Sequence, residues 1–143
     1  MKKYTYNFEI KDLLTQFVAA FDDTVIKRYD AQKNPRSSVE VRYVFAPKQR
    51  VMYDVINKAQ NITLPVVTVD LTSVSYDSSR AFNKVNKIET YISEKDEIVT
   101  MDMPTPVNLK VNMSILGKYM QDVEQIITNF VPFTNPYIVI CWK

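Results

Sequence analysis

The sequence predicts an α+β protein, because segments with helical and with strand periodicity alternate along the chain. Residues 107–115 alternate between apolar and polar side chains, the pattern of a half-buried strand. Residues 119–130 carry apolar side chains at helical spacing and predict a helix. An N-terminal helix is predicted over residues 8–21, where the apolar residues that share one face are Ile10, Leu13, Leu14, Phe17, Val18 and Phe21.

Shorter patterns predict the other elements. Residues 39–45 alternate and predict a strand, and Pro47 then suits the first turn of a second helix that ends near Asn61. The Val- and Thr-rich residues 64–76 predict a long strand. A last strand is predicted over residues 137–142, after two prolines that we expect to end the preceding helix, Pro132 and Pro136.

After the first helix, the predicted order is strand, helix, strand, strand, helix, strand, which is the ferredoxin-like β-α-β-β-α-β unit. We therefore expect a four-stranded, mainly antiparallel sheet with the helices on one face. Residues 77–106 have no sustained period and are interpreted as a long arm or loop. Because 143 residues without internal repeats suit one core, residues 1–143 are expected to form a single domain.

The composition is that of an ordinary globular protein, with 46% apolar and 24% charged residues. A net charge of +2 is too small to indicate a phosphate-binding surface. The N-terminus lacks the apolar run of a secretory signal, and no segment approaches about 18 consecutive apolar residues. We therefore expect no membrane span and a protein that is made and kept in a cytoplasm.

The sequence argues against an enzyme, a cofactor or a metal centre. It contains no histidine, the commonest general base and metal ligand. Its one glycine, Gly117, excludes the glycine-rich loops that bind nucleotides. Cys141 is expected to be a buried, inert thiol, and the acidic clusters at 22–23 and 94–97 are interpreted as solvated surface.

Three stretches together resemble a known family. They are Val39-Glu40-Val41-Arg42-Tyr43-Val44-Phe45-Ala46-Pro47-Lys48, Leu64-Pro65-Val66-Val67-Thr68-Val69-Asp70-Leu71 and the residues from Gln121 to Pro136, QDVEQIITNFVPFTNP. In order and spacing they are similar to the proximal tail sheath stabiliser, or tail terminator (tail completion) protein, of T-even-like contractile-tailed bacteriophages. The similarity spans most of residues 8–142, although members of that family extend beyond the final predicted strand.

The resemblance implies a structural virion protein without catalytic activity. It implies a homohexameric ring at the head-proximal end of the tail, which terminates the tail tube, stabilises the last sheath ring and provides a docking face for the neck. The implied partners are further copies of the chain, the tail tube protein, the tail sheath protein and the neck or head-tail connector proteins. Assembly would take place in the host bacterial cytoplasm, and genome DNA would pass through the ring without specific binding.

Ring closure requires contacts between two different surfaces of each subunit. The arm at 77–106 is a candidate for one of them, because it places an arginine beside an aromatic residue, two types that are enriched at interface hot spots. The subunit-interface candidates are Arg80, Phe82, Asn83 and Lys84. An equally open interpretation is a solvated loop with Phe82 packed onto its own domain.

Two other functions remain open at this stage. Another tail, neck or baseplate structural subunit of a phage fits the same physical pattern. A ferredoxin-like module that binds single-stranded nucleic acid would use some of the nine tyrosines and seven phenylalanines to stack bases. The alternating strand 107–115 argues against the second function, because it contains no aromatic residue.

Overall fold

A computed structural model describes residues 6–57, 62–83, 85–92 and 97–140. The chain divides into two compact units: unit 1 comprises Met1–Asp70 and Asn112–Lys143, and unit 2 comprises Leu71–Val111. The helices are α1 (Glu9–Ala19), α2 (Lys48–Asn57) and α3 (Met120–Phe133). The strands are β1 (Val25–Tyr29), β2 (Pro35–Glu40), β3 (Arg42–Phe45), β4 (Val66–Tyr76), β5 (Lys87–Ile92), β6 (Glu97–Asp102) and β7 (Val107–Leu116). The predicted α+β class is confirmed.

The core of unit 1 forms where β1 and α3 meet. Ile26, Val41, Val67 and Ile126 are buried together, one each from β1, the segment between β2 and β3, β4 and α3. Partly buried side chains surround this cluster: Val39, Tyr43, Met113, Ile115 and Phe130. Burial of branched aliphatic side chains contributes about 1.5–3 kcal/mol each, so this cluster is a main source of stability for unit 1.

The strand predicted over residues 39–45 is divided between two sheets. Residues up to Glu40 belong to β2, which pairs antiparallel with β1, whereas β3 from Arg42 onward pairs parallel with β4. Val41 lies between them, is buried, and donates its backbone N–H to the Thr24 carbonyl. The alternation of side chains continues through this point, so the sequence pattern alone does not reveal the change of partner strand.

The four-stranded ferredoxin-like sheet is not confirmed. The described strands form one three-stranded sheet, in the order β3-β4-β7, and two two-stranded sheets, β1-β2 and β5-β6. The parallel strands β3 and β4 are direct neighbours joined by α2. In a split β-α-β unit another strand lies between the two parallel strands. The predicted helices are found in the predicted order, but both the number of strands and their pairing differ from the prediction.

The segment 77–106, interpreted as an arm or loop, contains regular structure. A short 3₁₀ helix covers Ser78–Arg80, and β5 and β6 form an antiparallel hairpin in which Ile88 lies opposite Met101 and Tyr91 opposite Ile98. Residues 87–92 do alternate, but the strand is short and contributes only Ile88 and Ile92 to its apolar face, with Thr90 between them. We keep the name arm for residues 77–106.

Near the C-terminus, the last helix ends three residues later than predicted, and the predicted final strand is not found in residues 137–140. Pro132 lies inside α3, which continues to Phe133. Proline removes one backbone donor there, and the packing of Phe133 against Phe21, with ring centroids 5.7 Å apart, favours continuation of the helix. Residues 137–140 form no strand, and Tyr137 and Val139 are exposed. Cys141 and the rest of the predicted strand lie outside the described residues, as does the predicted end of α2 beyond Asn57.

Candidate functional site

A buried carboxylate joins α3 to β1. Asp122, in the first turn of α3, is only 1% exposed and pairs with Arg28 of β1, whose Nη2 lies 3.1 Å from the Asp122 Oδ2. The Arg28 guanidinium also lies over the Tyr119 ring, 5.1 Å from its centroid. An acidic residue at this end of a helix is favoured by the helix dipole. The ion pair therefore holds the start of α3 against β1.

A side-chain amide extends this attachment along α3. The backbone N–H of Lys27 donates to Gln125 Oε1 at 2.9 Å, and Gln125 Nε2 donates to the Lys27 carbonyl at 2.7 Å. Gln125 thus imitates a neighbouring strand and satisfies the backbone groups on the edge of β1 that faces away from β2. Open strand edges promote unwanted pairing with other chains, and this contact closes the edge at Lys27.

The stretch 121–136, which carried much of the family resemblance, therefore has a structural role inside unit 1. Its residues Asp122 and Gln125 hold β1, and Ile126 is fully buried in the core. Phe130 packs on Phe21, with ring centroids 4.9 Å apart. Sequence reasoning identified this stretch but did not identify its partners Arg28 and Lys27, which are distant in sequence.

The base of the arm is fixed by a polar network around Asp77. Its Oδ2 lies 2.6 Å from Arg80 Nε, and its Oδ1 accepts hydrogen bonds from the backbone N–H and hydroxyl of Ser79. The pKa of Asp77 lies well below its usual value. The hydrogen bond from the Ser79 side chain is the largest cause, and the bond from the Arg80 guanidinium is the second. Arg80 also donates to Asn108 Oδ1 at 2.5 Å, which links the start of the arm to β7 within unit 2.

The four predicted interface residues thus have different surroundings. Arg80 binds its own chain at the base of the arm, where it organises the local structure. Phe82 is 57% exposed and lines a cavity of about 270 Å³ together with Tyr76, Met103, Pro104, Thr105 and Pro106. Asn83 is exposed, with its side chain accepting from the Val85 backbone N–H, and Lys84 lies outside the described residues.

The hairpin formed by β5 and β6 exposes apolar side chains on both faces. Directly opposed residues of an antiparallel pair point to the same face, so Tyr91 and Ile98 share one face. Ile98 is 67% exposed. The other face carries Ile88, Ile92, Val99 and Met101, all partly exposed. A two-stranded hairpin is only marginally stable in water by itself, so this surface favours a partner.

Unit 1 contains an apolar groove that the sequence analysis did not predict. It has a volume of about 300 Å³, and its lining residues are Met52, Val55, Ile56, Leu64, Ile115, Leu116, Gly117 and Val123. A side chain at Gly117 would force Val123 to move, because a Cβ atom there would lie 2.8 Å from Val123 Cγ2. A signal was present in the sequence, since Met52, Val55 and Ile56 share one face of a helix whose opposite face is polar.

No group of three or more acidic, histidine or cysteine residues within the described ranges is arranged to hold a metal ion. None of the helices in the described part of the chain is both long and apolar enough to cross a membrane. Two surfaces of the described residues stand out, the exposed hairpin and the apolar groove. Both are typical of a protein that acts by binding other protein surfaces.

Comparison with protein families agrees with this assessment. The family model for the T4-like virus Myoviridae tail sheath stabiliser matches residues 4–141 of the chain. No curated protein gives a significant match. The family match covers nearly the whole sequence and confirms the resemblance found in the three stretches above. It identifies a tail component of a contractile-tailed virus, associated with the tail sheath, and points to a structural role. The chain belongs to the T4-like Myoviridae tail sheath stabiliser family.

Proposed function

We propose that this protein forms a closed homo-oligomeric ring, a hexamer, at the head-proximal end of the tail. The ring terminates the tail tube, stabilises the last ring of sheath subunits and offers its other side to the neck proteins. In this proposal both units belong to one tail-terminator-like subunit. Genome DNA passes through the central opening without specific binding, and the protein is assembled in the cytoplasm of the host bacterium.

The observation that carries the proposal is the exposed hairpin, in a chain whose family is defined by stabilising a sheath. A protein that caps a polymer as a ring needs surface for its neighbouring copies as well as for the last subunits of the polymer. The hairpin presents apolar side chains on both faces, and the Asp77–Arg80 ion pair holds the 3₁₀ segment that precedes it in the chain. Such exposed apolar side chains gain free energy when another subunit covers them.

Sheath stabilisation can be tested with tails assembled without this subunit, in which the extended sheath has an open end. Purified protein is added, and sheath loss is followed by electron microscopy. We expect the protein to slow the loss of sheath and, when labelled with gold, to lie at the head-proximal end only. The purified protein in which the hairpin residue Ile98 is changed to Asp should fail to slow the loss of sheath. Protection by neither protein, or label along the whole sheath, would overturn the proposed role.

A further inference from the structure

We infer that the hairpin of one subunit docks against the apolar groove of unit 1 in the next copy of the chain. This inference rests on the proposed ring and names the two surfaces that build it. The groove is the one lined by α2, the end of β7 and the start of α3, and the hairpin is β5 with β6. The occupant of the groove is thus a second copy of this protein.

The two surfaces match in chemical character. Every residue that lines the groove is apolar or glycine, and Ile56 on its rim is 73% exposed. On the hairpin, Ile98 is exposed to a similar extent and lies opposite Tyr91. Transfer of Ile98 from water to a groove lined by apolar side chains gains free energy, and no polar side chain of the groove loses a hydrogen bond.

Charge selects which surfaces meet. Residues 87–102 contain two lysines and five acidic residues, a net charge of −3 in a chain whose total is +2, so the remaining residues carry +5. Lys118 directly follows the groove residue Gly117, and Lys48 shares the α2 face of Met52 and Val55 by helical spacing. No acidic residue lines the groove. An acidic hairpin is therefore attracted to this groove and repelled by another hairpin.

This pairing has the symmetry that a ring requires. The hairpin and the groove are different surfaces, so each copy offers one of each, and the contact is heterologous. A pairing of hairpin with hairpin would be isologous and would stop at a dimer. A heterologous contact instead continues from copy to copy until the rotation closes, and it does so with a single type of junction.

The test uses one variant for each surface, Ile98→Asp in the hairpin and Ile56→Asp in the groove. Both side chains are largely exposed, so neither change removes core packing. Val139→Asp is the matched control, since Val139 is 72% exposed and lies outside both surfaces. Native mass spectrometry measures assembly across a concentration series, and circular dichroism verifies that each variant is folded. A carboxylate buried in the groove should raise the concentration needed for ring formation about 30-fold or more, as for a lost hot spot.

Mixing the two variants gives the decisive result. A mixed pair contains one intact junction, between the hairpin of Ile56→Asp and the groove of Ile98→Asp. Equal amounts of both should therefore yield heterodimers and no rings, while each variant alone stays monomeric and Val139→Asp assembles as the wild type does. Normal rings of Ile56→Asp, or a mixture without heterodimers, would overturn the docking but leave the proposed ring intact. A wild-type chain that never self-associates would overturn both.

Discussion

The side-chain amide of Gln125 pairs with both backbone polar groups of Lys27, at 2.9 Å and 2.7 Å, across 98 positions of sequence. A helix side chain thereby takes the place of a missing neighbour strand. The contact ties the outer edge of β1 to α3 and leaves less of that edge available to other chains.

Loss of this amide should destabilise unit 1 modestly. Gln125→Ala removes two hydrogen bonds, each worth about 0.5–1.5 kcal/mol, but water reaches the freed Lys27 groups, so we expect a loss of about 1 kcal/mol. Urea denaturation measures this change in the free energy of unfolding. Gln121→Ala is the control, because Gln121 is exposed on the same helix face and should change stability by less than about 0.5 kcal/mol. Equal effects of the two variants would contradict this role of Gln125.

Removing only one partner of the Arg28–Asp122 ion pair should lower the free energy of unfolding strongly. Arg28→Ala leaves a buried carboxylate without its charged partner, and we expect a loss of about 3 kcal/mol. A double-mutant cycle with Asp122→Asn should show coupling, since the neutral amide no longer needs the guanidinium. Arg36→Ala is the control, because its pair with Asp30 is exposed and should contribute less than about 1 kcal/mol. Additive effects of Arg28→Ala and Asp122→Asn would show that the pair contributes nothing specific.

At the base of the arm, Arg80→Glu and Phe82→Ala should leave the protein folded and weaken ring formation. Arg80→Glu places a second carboxylate beside Asp77 and removes the bond to Asn108, while Phe82→Ala removes an exposed aromatic side chain. Loss of a hot-spot residue costs about 2 kcal/mol of association or more, roughly 30-fold in affinity. Analytical ultracentrifugation measures the change, and Ser78→Ala, exposed in the same 3₁₀ helix, should assemble normally. Unchanged assembly by both variants would remove the arm from the interface.

Acid should weaken the base of the arm. The pKa of Asp77 in the folded protein lies below its ordinary value of 3.8, so the ionised form stabilises the fold. This contribution is fully present above that ordinary value and is lost as the pH falls further, toward the folded pKa. The difference in urea midpoint between the wild type and Asp77→Asn should therefore be constant from about pH 5 to 8 and shrink at lower pH. A difference that grows on acidification would contradict the assigned role of Asp77.

Local periodicity predicted most helices and strands of unit 1, because their apolar residues fall on one face that is at least partly covered. Helix α1 and strand β7 lie close to their expected bounds. The pairing of strands was not predictable in the same way, since Val41 separates two sheets without any break in side-chain alternation. Long-range partners such as Arg28 and Asp122 also leave no local pattern.

The hairpin was missed for a different reason. Its two strands are short, and each contributes only two apolar residues to the face of Ile88, Ile92, Val99 and Met101, so periodicity alone did not reveal a strand in residues 87–102. The apolar residues of a surface that binds other subunits are buried only in the assembly, whereas those of a core are buried within the single chain. The resemblance to sheath stabilisers led to the prediction that the arm is an interface. The structure then revealed the hairpin within the arm and the groove in unit 1.

Ring formation by the purified wild-type chain tests the central claim most directly. Negative-stain electron microscopy at high protein concentration, with native mass spectrometry of the same sample, shows both the shape and the number of subunits. The account predicts closed rings with a central opening and a mass of six subunits. A protein that remains monomeric at every concentration, or forms only two-fold dimers, would contradict it.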